Sequence, residues 1–424
     1  MSAYSVEPLA GPLSARVVVP GSKSVANRAL VCAALAGGES ELDNLPPGDD
    51  TAAMLGGLQL LGVGIEATGR ADSVVVRGLG SPTLFRPGPV TLPARLAGTT
   101  SRFLTALAAA GPGPYTVDGE PSLRTRPMTP LHDALVTLGA TVRPTGEWGH
   151  LPVTVSGPIG GDRVAVRGDV SSQYITALML VAPTLTSGLR IELTTPLVSR
   201  SYLGITSSVM AAFGVEGVEI SDDVVTVPAG TYGATRYGIE PDASSAGYPL
   251  AAAAIAGGQV HVPGLTAASL QGDARFAALL GAMGCEVTLD DTGVTVARHG
   301  RLHGIDVDMN DLSDLVPTLA VVAAFGTSTT TIRGVGFIRR KESDRLGDLA
   351  AELRRAGIDA AETDDGLVIR PSEVRPARFG THHDHRLAMA LALIGLVVPG
   401  VEIDDPGVVS KSWPGYWRML EDLG

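Results

Sequence analysis

The amino-acid sequence predicts an α/β protein of six repeated β-α-β-α-β-β units, three in each of two lobes. Three observations support this fold class. An extended segment, a polar turn, an Ala- and Leu-rich helix and a glycine recur six times along the chain. A second helix that ends in an apolar residue and glycine follows each copy. Alternating segments with turn residues come next, as in VEISDDVVTVPAG, and such segments are typical of a β-hairpin.

The six copies follow one another at a period of roughly 70 residues, which indicates a small α/β fold for each copy rather than one layer of a solenoid. Their first helices are apolar along nearly their whole length, as expected for helices buried inside each lobe. The copies begin at Val17, Val90, Val164, Tyr237, Gly304 and Pro376. The glycines that end the second helices are Gly62, Gly139, Gly214, Gly284, Gly357 and Gly424.

The division into lobes follows from the sixth copy, which ends directly after its second helix and lacks the closing strands. The only unassigned extended segment is N-terminal, so we expect the first residues to complete the sixth unit. The chain would then cross between lobes near Pro20 and near Arg236. This predicts lobe one from residues 1–20 and 237–424 and lobe two from residues 21–236, with the active site in the cleft between them.

Composition limits the classes of function. The chain has 424 residues, of which 45% are hydrophobic, and its formal net charge of −12 argues against a general binder of nucleic acid or membrane surfaces. Any anion site must therefore be local.

The two cysteines, Cys32 and Cys285, lie in apolar stretches, and we expect buried, reduced thiols in a cytoplasmic protein. Secretion and membrane insertion are not expected, because neither a signal-peptide pattern nor about 18 consecutive apolar residues occur.

Basic residues recur at the predicted helix starts, where the helix dipole disfavours a cation. Backbone N–H groups at a helix start, reinforced by Lys or Arg, form a site for phosphate or carboxylate, so we interpret the pattern as anion binding. Salt bridges to nearby carboxylates are the alternative for any one of these residues. The Ser, Thr and Asp residues at the same places are explained as N-caps.

Lysine is rare in this chain. Only three of the 32 basic residues are lysines, namely Lys23, Lys341 and Lys411, and all three fall at predicted helix starts. An ammonium can release a proton, whereas a guanidinium stays charged, so the pattern indicates proton transfer. Asp314 and Glu342 are the carboxylates that could share it, although either could instead be a helix cap.

Several familiar motifs are missing. A GxGxxG after a strand and a GxxxxGK[ST] are both absent, which disfavours dinucleotide and P-loop nucleotide binding. The HHDH run at residues 382–385 lacks the spacing of a zinc site, so no metal is predicted.

Nine segments together resemble the EPSP synthase (3-phosphoshikimate 1-carboxyvinyltransferase) family, and the resemblance runs over essentially the whole chain. It implies a two-lobed inside-out α/β barrel and transfer of the enolpyruvyl group of phosphoenolpyruvate to the 5-hydroxyl of shikimate 3-phosphate, without metal or organic cofactor, by a monomer. The segments are PGSKSVANRAL, LAGTTSRF, RTRPM, SSQY, SRSY, DMNDLSD, RRKESDRL, DHR and KSWP.

The resemblance also implies roles for individual residues. The catalytic residues would be Asp314, Glu342 and Lys23. The residues that bind phosphoenolpyruvate would be Lys23, Gly98, Thr99, Arg126, Gln173, Arg345, Arg386 and Lys411. The residues that bind shikimate 3-phosphate would be Lys23, Ser24, Arg28, Ser171, Ser172, Gln173, Ser199, Asp314 and Lys341. Supporting residues would be Arg102, Tyr202 and His385.

The sequence departs from the family pattern at Leu96, Tyr174 and Phe337, where many members carry Asn, Arg and Asn. Two alternatives stay open. A UDP-N-acetylglucosamine enolpyruvyl transferase would share the fold, but that family usually has a cysteine on a mobile loop. A non-catalytic binder of phosphorylated metabolites would explain the basic residues but not the pairing of lysines with Asp314 and Glu342.

Overall fold

A computed structural model describes residues 3–424. The contacts divide them into lobe one, which comprises residues 3–20 and Glu240–Gly424, and lobe two, which comprises Gly21–Ile239. The second division lies at residue 239 and not at 236, because the strand Arg236–Gly238 pairs with a strand of lobe two. No helix within the described residues is long and apolar enough to cross a bilayer.

Two strands precede the first helix: β1 (Tyr4–Ser5) and β2 (Leu13–Arg16). The first pairs with the strand Glu402–Ile403 of the sixth repeat. The second pairs instead with Gly258–Pro263 of the fourth repeat, contrary to the expectation that the N-terminal strands complete the last unit. Hydrogen-bond partners of a short strand depend on the tertiary structure, so a local pattern does not identify them.

Lobe two contains three four-stranded sheets, one for each of the first three repeats. In each sheet one pair is parallel and the remaining pairs are antiparallel. Its strands are β3 (Gly37–Asp43), β4 (Gly64–Ala67), β5 (Val74–Leu79), β6 (Val90–Pro93), β7 (Tyr115–Asp118), β8 (Thr141–Pro144), β9 (Val153–Ser156), β10 (Arg163–Val166), β11 (Leu189–Leu193), β12 (Glu219–Ile220), β13 (Val224–Val227) and β14 (Arg236–Gly238). Its helices are α1 (Lys23–Leu35), α2 (Asp49–Leu60), α3 (Gly98–Ala110), α4 (Pro121–Arg124), α5 (Thr129–Thr137), α6 (Ser172–Val181) and α7 (Ser201–Ala212).

Lobe one has the same plan, with two four-stranded sheets and one of three strands. Its further strands are β15 (Gly258–Pro263), β16 (Glu286–Asp290), β17 (Gly293–Arg298), β18 (Asp306–Asp308), β19 (Thr330–Arg333), β20 (Asp359–Glu362), β21 (Leu367–Arg370), β22 (Arg378–Phe379) and β23 (Glu402–Ile403). Its helices are α8 (Ala243–Ala256), α9 (Phe276–Ala282), α10 (Val316–Ala323), α11 (Gly347–Arg355), α12 (His385–Ala392) and α13 (Tyr416–Glu421).

The first helix of each repeat lies in the core of its lobe. In lobe two α1, α3 and α6 pack on one another, and nearly every residue of these helices is buried. In lobe one α10 packs on both α8 and α12, and nearly every residue of these three helices is buried. Their many alanines let the helix backbones approach closely while apolar area is removed from water. The prediction of buried, apolar first helices is confirmed.

The glycine that ends each second helix has a backbone reason. Gly62, Gly139, Gly214, Gly284 and Gly357 all have positive φ angles, from +78° to +105°. A residue just past a helix end often adopts this left-handed conformation, which glycine tolerates best. Five of the six predicted helix ends are therefore explained by one repeated cap.

Some predicted helix starts are wrong. Of the three lysines only Lys23 begins an α-helix. Lys341 directly follows the 3-10 turn Gly336–Arg340, and Lys411 is the last residue of the 3-10 turn Pro406–Lys411. Both lysines thus lie at the carbonyl end of a helical turn. The dipole of the turn favours a cation at that end.

Candidate active site

The predicted site residues of lobe one form a cluster of three cations and three carboxylates, which we call the ion cluster. Its members are Arg345, Arg386, Lys411, Asp314, Glu342 and Asp384. Sequence reasoning identified all of them as site residues except Asp384.

Arg345 lies at the centre of the ion cluster, with 1% of its surface exposed. Its guanidinium donates to Asp384 Oδ2 from Nε at 2.6 Å, to Asp314 Oδ1 from Nη1 at 3.0 Å and to Glu342 Oε2 from Nη2 at 2.9 Å. Burial alone would lower the pKa of Arg345, but these carboxylates outweigh it and raise the pKa. The cation is therefore permanent, and it holds three carboxylates in place.

Asp314 bridges two guanidinium groups. It lies in the 3-10 turn Asn310–Leu315, directly before α10. Its Oδ1 accepts from Arg345 and its Oδ2 accepts from Nη2 of Arg386 at 2.7 Å. Both donors are charged, so these hydrogen bonds are of the stronger kind. The side chain keeps 20% exposure, which leaves the carboxylate within reach of a ligand.

Glu342 bridges a second pair of cations. Its Oε2 accepts from Arg345, and its Oε1 accepts from Nζ of Lys411. Only 15% of the Glu342 side chain and 7% of the Lys411 side chain are exposed. The two carboxylates predicted to handle protons thus have the same environment, each held by two buried or nearly buried cations.

Asp384 was missed as a site residue because its position is explained by an ordinary helix cap. Its Oδ1 accepts from the backbone N–H of Arg386 at 2.9 Å and caps α12, while Oδ2 accepts from Arg345 and from Ser343 Oγ. The residue is completely buried. The signal available in the sequence was an aspartate two residues before a helix-start arginine, a pattern that local reasoning treats as capping alone.

A second buried aspartate lies beside the ion cluster. Asp273, in the 3-10 turn Gly272–Arg275, accepts a hydrogen bond from Ser244 Oγ. Burial raises the pKa of Asp273 from its usual 3.8 to about 7, and the charge of Asp314 adds to the increase. Ser244 in turn lies 3.5 Å from Nη2 of Arg386. The sequence analysis did not identify Asp273 as a site residue.

In lobe two, Lys23 begins α1 behind the N-cap residue Ser22. Its Nζ lies 3.0 Å from Oδ2 of Asp50, a buried residue of the first turn of α2. The proposed proton carrier is therefore paired with a carboxylate that the site prediction did not include.

At the start of α3, the guanidinium groups of Arg102 and Arg126 lie against Gly98. A Cβ at Gly98 would lie 2.7 Å from Nη1 of Arg126 and 2.8 Å from Nη1 of Arg102, so only a glycine leaves room for both guanidinium groups. Arg102 also donates to the carbonyl of Gly98 at 2.9 Å and to that of Pro127 at 3.1 Å. The two guanidinium groups thus lie beside the first turn of α3, where backbone N–H groups have no partner within the helix.

Gln173 and Thr99 connect α6 with α3. Nε2 of Gln173 donates to Oγ1 of Thr99 at 3.1 Å. Ser171 caps α6, because its Oγ accepts from the backbone N–H of Gln173 at 3.3 Å, and Ser172 is the buried first residue of that helix. Four predicted ligands of phosphoenolpyruvate, namely Gly98, Thr99, Arg126 and Gln173, are therefore linked through the starts of two adjacent helices.

Arg28 is buried, and its guanidinium contacts residues of α6 and α7. Its Nε donates to Thr206 at 2.8 Å and its Nη1 to the carbonyl of Ser24 at 2.7 Å, with only 2% of the residue exposed. Nη2 reaches the carbonyl of Tyr202 at 3.3 Å. Burial lowers the pKa of Arg28 to about 10. Its hydrogen bonds to Thr206 and Tyr202 join α1 to α7, as in a structural brace.

The remaining predicted residues are placed as follows. Ser199 is buried and has a φ of +55°, directly before α7. Nζ of Lys341 lies 5.7 Å from the centroid of the Phe337 ring. His385 is buried at the start of α12, with Nδ1 3.7 Å from Asp384.

The histidines and cysteines of residues 3–424 are the candidates for metal-binding clusters and activated thiols. Those residues contain no group of three or more His, Cys, Asp or Glu able to hold a metal ion. His382 bonds Glu352 at 2.9 Å, while His383 is exposed. Both cysteines are buried and neither forms a disulfide, as predicted. Burial raises the pKa of each thiol, that of Cys285 to about 11, so neither is activated as a nucleophile.

Comparison with known proteins points to one family. A model of the EPSP synthase (3-phosphoshikimate 1-carboxyvinyltransferase) family matches residues 9–420. The 3-phosphoshikimate 1-carboxyvinyltransferase of Nostoc punctiforme is 42% identical over 99% of this chain and 100% of its own, and that of Syntrophobacter fumaroxidans is 41% identical over 99% of both. A solved EPSP synthase from Acinetobacter baumannii is 25% identical, with a TM-score of 0.84 over 100% of this chain and 98% of its own. The predicted inside-out α/β fold class is thereby confirmed.

Proposed function

The chain belongs to the EPSP synthase (3-phosphoshikimate 1-carboxyvinyltransferase) family, and we propose that it transfers the enolpyruvyl group of phosphoenolpyruvate to the 5-hydroxyl of shikimate 3-phosphate. The products are 5-enolpyruvylshikimate 3-phosphate and inorganic phosphate, and the reaction belongs to the shikimate pathway, which leads to chorismate and the aromatic amino acids. The observation that carries the proposal is the ion cluster, in which Asp314 and Glu342 each bridge two cations.

The proposed reaction is an addition followed by an elimination. In the addition, the 5-oxygen bonds to C2 of phosphoenolpyruvate, its proton passes to Asp314, and C3 gains a proton and becomes a methyl group. In the elimination, C3 loses a proton, the double bond re-forms and the bond from C2 to the phosphate oxygen breaks. Glu342 and Lys23 deliver and remove the proton at C3, because one can act as an acid and the other as a base in turn.

The cations supply electrostatic stabilisation. Arg345, Arg386 and Lys411 in lobe one, and Lys23 and Arg126 in lobe two, hold the phosphate and carboxylate of phosphoenolpyruvate and of the tetrahedral adduct. The three cations of lobe one are already oriented by ion pairs to the carboxylates of the ion cluster.

The ion cluster couples substrate binding to proton transfer. In the free protein the donors of Arg386 and Lys411 are shared with Asp314 and Glu342. A substrate phosphate or carboxylate that accepts from the same donors competes with these carboxylates. We propose that this competition releases Asp314 and Glu342 to accept protons, so the bases become available only when the anion is present.

Shikimate 3-phosphate is proposed to bind mainly to lobe two. Ser171, Ser172, Gln173, Ser199 and Ser24 supply the polar contacts, together with Lys23 and, from lobe one, Asp314 and Lys341. Arg28 acts by bracing α1 against α6 and α7, which fits its buried hydrogen bonds. Both lobes would then act on one pair of substrates, in a cleft between them, and closure would exclude water.

The enzyme is proposed to be a cytoplasmic monomer. Two buried thiols without a disulfide suit a reducing compartment. Sedimentation at micromolar protein concentration checks the oligomeric state, with a single species near 43.4 kDa expected.

Phosphate release tests the proposed function. The protein is mixed with phosphoenolpyruvate and either shikimate 3-phosphate, UDP-N-acetylglucosamine or no acceptor, and phosphate is followed over time. Release with shikimate 3-phosphate alone is expected. Release with UDP-N-acetylglucosamine instead would assign the chain to the other enolpyruvyl transferase, and binding without release would favour a non-catalytic metabolite binder.

A further inference from the structure

Asp273 is joined to the ion cluster through one hydroxyl group. Its Oδ2 accepts from Ser244 Oγ, Ser244 Oγ lies 3.5 Å from Nη2 of Arg386, and the same Nη2 donates to Asp314 at 2.7 Å. Asp273 is 5% exposed and Ser244 is 7% exposed. The four side chains thus form a continuous path from the buried Asp273 to the proposed general base.

We infer that Asp273 is a positioning residue for the proposed reaction, which acts through Ser244 to hold the Arg386 guanidinium in the orientation that serves Asp314 and phosphoenolpyruvate. The inference rests on the proposed function and adds a residue to its machinery. A hydroxyl that donates to a carboxylate keeps its lone pairs for other donors, so the Asp273 carboxylate turns Ser244 into an acceptor facing Arg386.

The free-energy cost of burying the Asp273 carboxylate supports a role in positioning. Among the described residues Oδ1 of Asp273 has no hydrogen-bond partner, although the side chain is buried. A buried carboxylate with one oxygen unpartnered is unfavourable, and asparagine or an apolar residue at the same place would avoid the cost. A buried carboxylate with this cost is expected where its charge or acceptor strength matters to a neighbour.

The surrounding charges determine when Asp273 is ionised. The 3-10 turn of Asp273 packs on α8, on α9 and on the turn Asn310–Leu315, and α9 carries no titratable group. The charged groups around Asp273 on these elements and on α12 are Asp242, Asp311, Asp314, Arg275 and Arg386. Arg275 pairs with Asp311 at 3.2 Å, which leaves Arg386 as the cation that acts on Asp273. Its charge therefore changes near neutral pH.

Substitution tests the inference. Asp273→Asn keeps the shape but removes the charge, and Ser244→Ala breaks the path at its middle. Both changes are expected to raise the KM for phosphoenolpyruvate roughly tenfold, because a charge-assisted contact to Arg386 is weakened, with the KM for shikimate 3-phosphate changed less than about twofold. Ser245→Ala, at the adjacent buried position of α8, is the matched control and is expected to leave both constants unchanged.

A pH profile separates positioning from a structural role. In the wild type, kcat/KM for phosphoenolpyruvate is expected to fall as the pH decreases through about 7, because protonated Asp273 is a weaker acceptor for Ser244. Asp273→Asn is expected to lose this inflection, since it stays neutral at every pH. Thermal unfolding of each variant shows whether it is folded.

The outcomes are distinguishable. A wild-type protein that releases no phosphate contradicts the proposed function, and this inference falls with it. An active wild type, with folded Asp273→Asn and Ser244→Ala variants whose constants and pH profile match those of Ser245→Ala, overturns the inference and leaves the proposed function standing.

Discussion

The carboxylate of Asp314 joins the guanidinium groups of Arg345 and Arg386, at 3.0 and 2.7 Å. At the scale of single residues, these two contacts favour the role of a base for Asp314 over the role of a helix cap. A cap would accept from backbone N–H groups. Asp314 accepts hydrogen bonds from two side-chain cations that the proposed substrate also needs.

Asp314→Asn tests the base. The change keeps the shape and removes the proton acceptor, so kcat is expected to fall by roughly 10²- to 10⁴-fold, the usual range for loss of a positioned general base. The measurement is steady-state phosphate release with both substrates saturating. Asp306→Asn is the control, because Asp306 forms an exposed ion pair with Arg333. Undiminished turnover in Asp314→Asn would refute the assignment.

The raised pKa of Asp273 predicts a pH dependence of protein stability, which can be measured without an activity assay. Its pKa is raised from 3.8 to about 7 by burial, so between these values the folded state binds a proton that the unfolded state has lost. The free energy of unfolding therefore decreases as the pH rises from about 4 through 7, by roughly 4 kcal/mol in full.

Urea denaturation at pH 5 and pH 8 measures this effect. The wild type is expected to lose stability between the two pH values relative to Asp273→Asn, which has no proton to lose. Equal pH dependence in the two proteins would show that Asp273 is ionised throughout.

At the scale of secondary-structure elements, the starts of α3 and α6 form the lobe-two part of the proposed site. Gly98 lets the guanidinium groups of Arg126 and Arg102 approach the first turn of α3. The carbonyl of Pro127, next to Arg126, accepts from both Arg102 and the hydroxyl of Tyr174. The arginine predicted to hold phosphoenolpyruvate is therefore positioned by its neighbours in the chain.

Gly98→Ala is expected to raise the KM for phosphoenolpyruvate roughly tenfold by displacing the Arg126 guanidinium. Stability is expected to change little, because the atoms that the new Cβ would meet are the ends of flexible side chains. Gly56→Ala in α2 is the control, since no atom lies within 4 Å of its Cβ position. An unchanged KM in Gly98→Ala would show that Arg126 does not bind the substrate from this place.

Tyr174→Phe tests how Arg126 is held. Loss of one hydrogen bond to Pro127 is expected to destabilise the protein by about 1 kcal/mol and to raise the KM for phosphoenolpyruvate about threefold. Tyr232→Phe is a matched control, because its buried hydroxyl donates to the carbonyl of Leu180 at 2.9 Å in the same lobe. The control should lose similar stability without a change in KM, and equal KM effects in both variants would contradict the specific role.

At the scale of the whole molecule, the repeat was predictable because each copy carries its own apolar helix and its own glycine cap. The strand exchange was not. The strand β2 belongs to lobe one but leads into α1 of lobe two, and β14 of lobe two leads into α8 of lobe one. A strand of three or four residues has no local signal that identifies its partner, so only the assembled sheet decides it.

The candidate site was predicted unevenly for a related reason. Cations stood out, because Lys23 begins α1, where the helix dipole disfavours a cation, and because Lys411 is one of only three lysines in the chain. The carboxylates Asp50, Asp273 and Asp384 did not stand out, because aspartate near a helix start is ordinary. Their roles come from side chains distant in sequence, such as Arg345 and Arg386, and become visible only in the folded chain.

Phosphorus NMR of one reaction mixture tests the proposed activity most directly. The protein, phosphoenolpyruvate and shikimate 3-phosphate are combined, and the phosphorus resonances are followed together. The phosphoenolpyruvate signal is expected to be replaced by free phosphate, one for one with a new signal from the 3-phosphate of the enolpyruvyl product, and only when the acceptor is present. Free phosphate that forms without shikimate 3-phosphate, or a phosphoenolpyruvate signal that persists with it, would contradict enolpyruvyl transfer.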